Sequence, residues 1–159
     1  KASFHSTMNW WKGNSPSIEL DINLPESIEL EIDDGSGSID ISNVKAPIDI
    51  EDGSGSIDIE NVKGNIEIED GSGSITVTNV IGNIEIEDGS GSIVVDQVTG
   101  TVEIDDNSGD LTVTNTDDMV VIEDGSGDIV VKKTKGLTIL SSGSGDVDII
   151  EIDGKVSID

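Results

Sequence analysis

The chain has 159 residues, of which 33% are hydrophobic and only three (Phe4, Trp10 and Trp11) are aromatic. Its formal net charge is −26, from 34 acidic residues against eight lysines and no arginine. This charge excludes ordinary nucleic-acid binding, which needs cationic contacts to phosphate, and it disfavours anionic membrane surfaces. No apolar run approaches the ~20 residues that span a bilayer, and without cysteine there is neither a disulfide nor a thiolate metal site.

Residues 1–27 differ in composition from the rest of the chain. They contain every aromatic side chain, together with Met8. A longer alternating stretch, Ile18–Leu24, predicts a first strand that ends at Pro25. We interpret 1–27 as an N-terminal docking or capping segment. The chain begins at Lys1 without an initiator methionine, as a precursor does after its signal peptide is removed, so we expect a secreted protein, extracellular or at the cell surface.

Residues 28–159 form a repeat in which position i matches position i+18. The sequence Asp34-Gly-Ser-Gly-Ser38 recurs unchanged from positions 52, 70 and 88, and in degenerate form from 106, 124 and 142. Within one repeat, Ile57–Glu60 and Ile66–Glu69 alternate apolar and acidic residues, which is typical of half-buried strands. Turn sequences rich in Gly and Asn join these stretches. Each repeat therefore predicts strand, corner, strand, corner.

Residues 18 positions apart form five apolar rows along the chain. The first row is Ile39, Ile57, Ile75, Ile93, Leu111, Ile129 and Val147, and the second is Ile41, Ile59, Val77, Val95, Val113, Val131 and Ile149. The third is Ile32, Ile50, Ile68, Ile86, Ile104, Ile122, Leu140 and Ile158; the fourth is Leu30, Ile48, Ile66, Ile84, Val102 and Val120, interrupted at Thr138. The fifth is Val44, Val62, Val80 and Val98, then Thr116 and Thr134.

These rows favour stacked coils over an antiparallel meander. A meander would also suit strands nine residues apart, but it does not require matching residues at i and i+18. We predict an all-β fold, a single-stranded parallel β-solenoid (β-helix) of about seven to eight coils without insertions. The crossover rule predicts a right-handed coil.

The turn sequences resemble a known family. Gly125-Ser-Gly-Asp-Ile129 and Gly143-Ser-Gly-Asp-Val147 are similar to the GSGD turns of bacterial and archaeal adhesin-type β-strand-repeat domains. The resemblance covers residues 28–159. It implies a secreted or surface-anchored β-solenoid that generally has no assigned chemistry.

Two acidic rows lie side by side at one corner of the predicted coil. The first is Asp34, Asp52, Asp70, Asp88, Asp106 and Asp124, and the second is Asp33, Glu51, Glu69, Glu87, Asp105 and Glu123. Stacked like charges destabilise a sheet, so we expect relief from calcium, from protonation or from hydrogen bonds donated by corner amides. Calcium takes oxygen ligands, which makes the first row a candidate calcium site. The repeat differs from the nine-residue calcium β-roll, and the simpler alternative is a solvated acidic face.

We expect neither catalytic activity nor a cofactor other than calcium. The lone histidine, His5, lies outside the repeats, and carboxylate pairs such as Glu67 and Glu69 recur in nearly every coil, so none stands out as an acid–base dyad. Gly53-Ser-Gly55 lacks the third glycine and the helix of a dinucleotide loop, so it is a corner. The Asn row (Asn43, Asn61, Asn79, Asn115) indicates a structural amide ladder. Ice binding is a weaker alternative, because the Thr-x-Thr pairs are interrupted.

The ends of the repeat suggest self-assembly. The last coil is expected to leave an open parallel edge with Ile149, Ile152 and Ile158 nearby. Phe4, Met8, Trp10 and Trp11 would either fold over the first coil or dock on that edge in the next subunit. Such a heterologous contact propagates into a filament. The alternative function is a monomeric, adhesin-like surface module that binds a glycan, a cation or a protein.

Overall fold

The computed structural model describes residues 1–5 and 25–159. Their strands all belong to one 14-stranded sheet, in which every pairing is parallel. The strands are β1 (Ala2–His5), β2 (Leu30–Asp34), β3 (Gly37–Ser42), β4 (Ile48–Asp52), β5 (Gly55–Lys63), β6 (Ile66–Asp70), β7 (Gly73–Ile81), β8 (Ile84–Asp88), β9 (Gly91–Thr99), β10 (Val102–Asp106), β11 (Leu111–Asp124), β12 (Ile129–Ser141), β13 (Val147–Ile150) and β14 (Val156–Ile158).

The sheet winds into a β-solenoid of about seven turns, as predicted. Strands β2, β4, β6, β8 and β10 pair in that order and form one wall. Strands β3, β5, β7 and β9 form the other wall, while β11 and β12 each run through a corner and contribute to both. Ile57 pairs with Ile75, its equivalent at i+18, so each coil stacks on its predecessor in register. The handedness of the coil stays a prediction.

The core is a thin layer of β-branched side chains between the two walls. Alternate residues of each strand point inward, and Ile57, Ile75 and Ile93 are fully buried. The row at the corner continues inward through Val62 and Val80. Because every coil supplies the same side-chain shapes at the same positions, the rows form one continuous hydrophobic core.

The asparagine corner adopts a left-handed backbone conformation. Asn61 has a φ of 60° and Asn79 a φ of 56°, a region that asparagine tolerates better than most residues with a side chain. Asn79 Nδ2 donates a hydrogen bond to Asn61 Oδ1 at 2.6 Å. This contact is one rung of the predicted amide ladder.

The prediction of coils without insertions is wrong for β12. Thr134 pairs with Thr116, but Gly136 pairs with Met119, so the corner of β12 is one residue shorter. An extra residue, Leu140, restores the spacing before Ser141. Because the two changes cancel, the spacing of the corner sequences stays constant and the repeat hides the shift.

The shift changes which side chains of β12 enter the core. Leu137 and Ile139 are buried, whereas Leu140 is 48% exposed. The third and fourth predicted rows are therefore wrong at this coil, where Leu140 and Thr138 were assigned to inward positions. Ile158 stacks on Ile139 instead of Leu140.

At the N-terminal end, β1 lies beside β2, with Ala2 opposite Leu30. The predicted strand Ile18–Leu24 lies outside the described residues, and so do Met8, Trp10 and Trp11. The division of the chain at residue 27 stays a prediction. Across the described parts of the chain, no helix has the length and apolar character of a membrane span.

Candidate functional site

The two acidic rows lie on opposite faces of one wall. Strands β4, β6, β8 and β10 each read apolar-acidic-apolar-acidic-Asp, with the first, third and fifth side chains buried and the others exposed. The buried carboxylates, here called the inner row, are Asp52, Asp70, Asp88, Asp106 and Asp124. The exposed ones, here called the outer row, are Glu51, Glu69, Glu87, Asp105 and Glu123.

Strand register stacks the inner row directly. Asp88 lies opposite Asp70 on one side and Asp106 on the other, and Asp106 lies opposite Asp124. Asp34 precedes the row in the first coil and is only half-buried. The structure thus brings together the six aspartates predicted as calcium ligands. Five of them, however, lie on the buried face of the wall.

Each inner-row carboxylate accepts a hydrogen bond from its own corner. Its Oδ1 atom faces the backbone N–H of the serine two residues later, the arrangement of an Asx turn. The N···O distances are 3.3 Å for Ser54, 3.1 Å for Ser72, 3.1 Å for Ser90, 2.9 Å for Ser108 and 3.0 Å for Ser126. One expected source of relief, hydrogen bonds from the corner amides, is therefore confirmed.

The second oxygen of each inner-row carboxylate lacks such a donor. In all five residues Oδ2 is buried and has no hydrogen-bond partner among the described residues. Asp106 is 1% exposed and Asp124 is 0% exposed. A buried carboxylate oxygen without a donor loses its hydration and gains nothing in return. The interpretation of a solvated acidic face is right for the outer row and wrong for the inner row.

Burial changes the protonation of the inner row. It raises the pKa of Asp52, Asp70, Asp88 and Asp124, against the smaller lowering effect of the serine amides. The pKa of Asp106 rises to about 6, first because of burial and then because of the stacked carboxylates of Asp88 and Asp124 and the nearby Asp105. Burial has this effect because the charged form of each carboxyl group is desolvated.

An open groove of about 620 Å³ runs along the acidic corner. Residues of both rows line it, together with the stacked glycines Gly53, Gly71 and Gly89. The glycines are required there, because a Cβ at Gly53 would lie 2.7 Å from the carbonyl oxygen of Gly35. Within residues 1–5 and 25–159, no group of three or more His, Cys, Asp or Glu residues is arranged to hold a metal ion. Calcium binding at Asp34 and the inner row stays a prediction.

The last coil exposes core positions that every preceding coil covers. Val156 is 43% exposed and Ile158 is 53% exposed, although Leu137 and Ile139 directly beneath them are fully buried. Ile149 and Ile152 are only partly buried. Strands β13 and β14 pair with β12 alone in the described part of the chain. We call the surface formed by Val147, Ile149, Ile152, Val156 and Ile158 the C-terminal end face.

The predicted assembly residues lie at both ends of the solenoid. Ile149, Ile152 and Ile158 come together on the C-terminal end face. Phe4 lies on β1 at the opposite end, opposite Ile32. Met8, Trp10 and Trp11 fall outside the described residues, so their role stays a prediction.

Charge is distributed unevenly along the solenoid. Residues 25–128 contain 27 acidic residues and two lysines, whereas residues 129–159 contain five acidic residues and four lysines. The lysines of the second group are Lys132, Lys133, Lys135 and Lys155. The C-terminal end of the solenoid is therefore nearly neutral, while the rest is strongly negative.

The sequence analysis missed that five aspartates lie on the buried face of the wall. The signal was present in Ile48-Asp-Ile-Glu-Asp52, where the inward alternation reaches Asp52 if it is carried one step further. We assigned Asp52 to a corner, where alternation no longer applies. The structure extends each strand by that residue.

Comparison with known proteins identifies a β-repeat family. The model of the Toastrack DUF4097 family matches residues 2–157. No curated protein matches the chain, and no solved structure matches it. The predicted resemblance is thus confirmed at the level of a β-repeat family, whereas the adhesin designation stays a prediction.

Proposed function

The chain belongs to the Toastrack DUF4097 family and is a structural β-solenoid repeat module, and from this we propose that it is a secreted subunit assembling head to tail into an extracellular or cell-surface filament. The observation that carries the proposal is the C-terminal end face. It combines exposed apolar core positions with the edges of two parallel strands that pair with nothing further among residues 1–5 and 25–159. Such edges are templates for pairing with another chain.

The occupant of this end face is the N-terminal end of a second copy. At that end, β1 is the outermost described strand of its wall and pairs only with β2 among the described residues. Strand addition would place β1 of the next copy beside β14 and continue that wall across the joint. Phe4, Met8, Trp10 and Trp11 would add apolar contacts at the joint.

The uneven distribution of charge along the solenoid favours end-to-end contact over side-by-side contact. Two strongly negative solenoids repel each other when they approach side by side, since exposed charges interact over about 8 Å at physiological salt. End-to-end contact instead brings the lysines near Lys155 towards the acidic first coil, which contains Glu29, Glu31 and Asp33. The interface is heterologous and does not close on itself, so it propagates.

The function we propose is non-enzymatic. No carboxylate pair differs enough from its copies in other coils to be assigned an acid–base role. The partner is a second copy of this chain rather than nucleic acid, because the chain has only eight cationic side chains.

Electron microscopy and sedimentation at several protein concentrations test the proposal. We expect filaments whose length grows with concentration. Ile158→Lys should abolish them, because it puts a charge on the end face. Ile81→Lys is the matched control: Ile81 is 52% exposed and Ile158 is 53% exposed, but Ile81 lies on the side of the solenoid. Particles that stay single at every concentration, or equal loss of filaments in both variants, would refute end-to-end assembly.

A second candidate function rests on the acidic groove. A monomeric, adhesin-like surface module would use the groove of about 620 Å³ for a cation or for a cationic group of a glycan or protein ligand. Single particles at all concentrations, combined with saturable binding of such a ligand, would favour this candidate. Glu69→Gln and Glu87→Gln should then weaken binding without changing particle size.

A further inference from the structure

The inner row places like charges in a buried environment, and filament assembly does not explain how the fold tolerates them. Five carboxylates are stacked in consecutive coils, each more than nine-tenths buried, and each leaves Oδ2 without a donor. If all five were ionised, buried like charges would face one another at every step of the row. Folded proteins avoid such arrangements by pairing, by protonation or by binding a cation.

The groups that face Asp106 are all acidic or neutral. Asp88 and Asp124 stack on its two sides, and Asp105 precedes it on the outer row. The amide of Ser108 binds Oδ1. No lysine forms a salt bridge with any inner-row carboxylate in the described parts of the chain. The described residues therefore offer Oδ2 no positive charge.

The spacing of the coils suits a shared proton. Parallel strands lie about 4.8 Å apart, and a carboxyl group that lies along the row spans a little under half of that separation. The remaining gap matches an O–H···O bond of ~2.5–3.0 Å. A bond from a neutral carboxylic acid to a carboxylate is charge-assisted and among the stronger hydrogen bonds in proteins. One proton thus gives an orphaned Oδ2 a partner, Oδ1 of the next coil, and removes one negative charge.

We propose that the inner row is a proton-binding ladder, in which a neutral Oδ2–H of one coil donates to the carboxylate of the next coil. The ladder takes its protons from water and holds them at pH values where an exposed aspartate is ionised. Occupied and empty rungs alternate, because a proton on one rung bonds to its unprotonated neighbour.

The ladder makes folding depend on pH in an unusual direction. The native pKa of Asp106 is about 6, whereas an aspartate in the unfolded chain titrates near ~3.9. Between these values the native state binds more protons than the unfolded state, so the free energy of unfolding falls as the pH rises. The stabilising effect is complete below about pH 4, decreases up to about pH 6 and is lost above it.

Infrared spectroscopy of the full chain tests the ladder without any variant. At pH 5 the native protein should show the C=O band of neutral carboxylic acids, and the band should disappear when the protein is unfolded at the same pH. Carbon-13 NMR should place the titration midpoint of the Asp106 carboxyl near pH 6. A native protein without the band at pH 5, or with Asp106 titrating like an aspartate in the unfolded chain, overturns the proposal.

A matched pair of variants assigns the effect to the inner row. Asp106→Asn keeps an oxygen for the Ser108 amide and places an N–H where Oδ2–H would be, so it should reduce the pH-dependent change of the melting temperature between pH 4 and 7. Asp105→Asn removes the same charge from the outer row and should preserve most of that change, because Asp105 is the smallest of the causes that raise the pKa of Asp106. Equal behaviour of the two variants would overturn the proposal.

Adding calcium distinguishes a proton from a metal cation as the occupant of the inner row. If protons occupy the inner row, millimolar calcium and sodium of equal ionic strength should raise the melting temperature equally. If calcium raises it further and also removes the neutral-acid band, a cation rather than a proton occupies the inner row, and the ladder is refuted.

Discussion

The inner and outer rows are neighbours in the sequence, yet they lie in opposite environments. Asp106 is 1% exposed, while Asp105, one residue earlier, is exposed. Both rows follow the repeat and carry one carboxylate per coil. They differ only in the face of the strand on which they lie. Because successive side chains point to opposite faces, a shift of one position decides whether a carboxylate remains hydrated.

This comparison shows how a β-solenoid can tolerate a net charge of −26. Water and counter-ions surround the outer row and screen its repulsion. The inner row has no such screening and depends on the corner amides that bind each Oδ1. The corner sequence Asp-Gly-Ser-Gly therefore has two tasks: it turns the chain, and it holds a buried carboxylate.

The largest effect is expected when a carboxylate points inward without a corner amide. Ile86→Asp places a charge at a core position that is 1% exposed. The lost apolar burial and the unpaired charge should together lower the free energy of unfolding by about 5 kcal/mol. Chemical denaturation measures this loss. Glu87→Asp, on the adjacent outward position, should change stability little. Equal losses would show that the cost of a carboxylate does not depend on the face of the strand on which it lies.

A slightly smaller loss is expected when the corner itself cannot stack. Gly91 has a φ of 149°, and a Cβ there would lie 1.5 Å from the carbonyl oxygen of Gly73. Gly91→Ala should destabilise the fold by about 3 kcal/mol, through backbone strain and overpacking. Gly35→Ala is the control, because nothing lies within 4 Å of its Cβ. A thermal melt compares the two, and a well-tolerated Gly91→Ala would contradict the stacking of the corners.

The pH dependence of the wild-type chain should be intermediate. Burial raises the pKa of Asp106 to about 6, so protonation stabilises the native state as the pH falls from about 6 to about 4. After allowance for solvent screening, we expect about 1–2 kcal/mol from this residue. Denaturant titrations at pH 4.5 and pH 7.5 measure it. Greater stability at the higher pH would contradict the burial of the inner row.

The smallest effect is expected from neutralising the outer row. Glu87→Gln should raise the free energy of unfolding by about 0.5 kcal/mol at low salt, because it removes repulsion from Glu69 and Asp105. At high salt the gain should vanish, because the exposed charges are screened. Melting temperatures at two ionic strengths test this. A gain that persists in high salt would show that the outer row is less hydrated than its exposure indicates.

Much of the fold was predictable, because a solenoid repeats its local pattern. Identical residues at i and i+18, such as Ile57 and Ile75, predict parallel stacking, and the pairing of β5 with β7 confirms it. The change of register in β12 was not predictable. A shorter corner before Gly136 and the extra residue Leu140 compensate each other, so the spacing of the corner sequences carries no trace of them.

The repeat length, the parallel pairing and most of the core rows follow from the amino-acid sequence, because these depend on local alternation and on spacing along the chain. Where each strand ends, and hence that Asp52 and its stacked equivalents face inward, depends on the folded chain. Burial depends on what lies across the wall and in the neighbouring coils, and those contacts exist only after the coils have stacked. For the same reason, the orphaned Oδ2 atoms and the exposed core positions of the last coil became visible only in three dimensions.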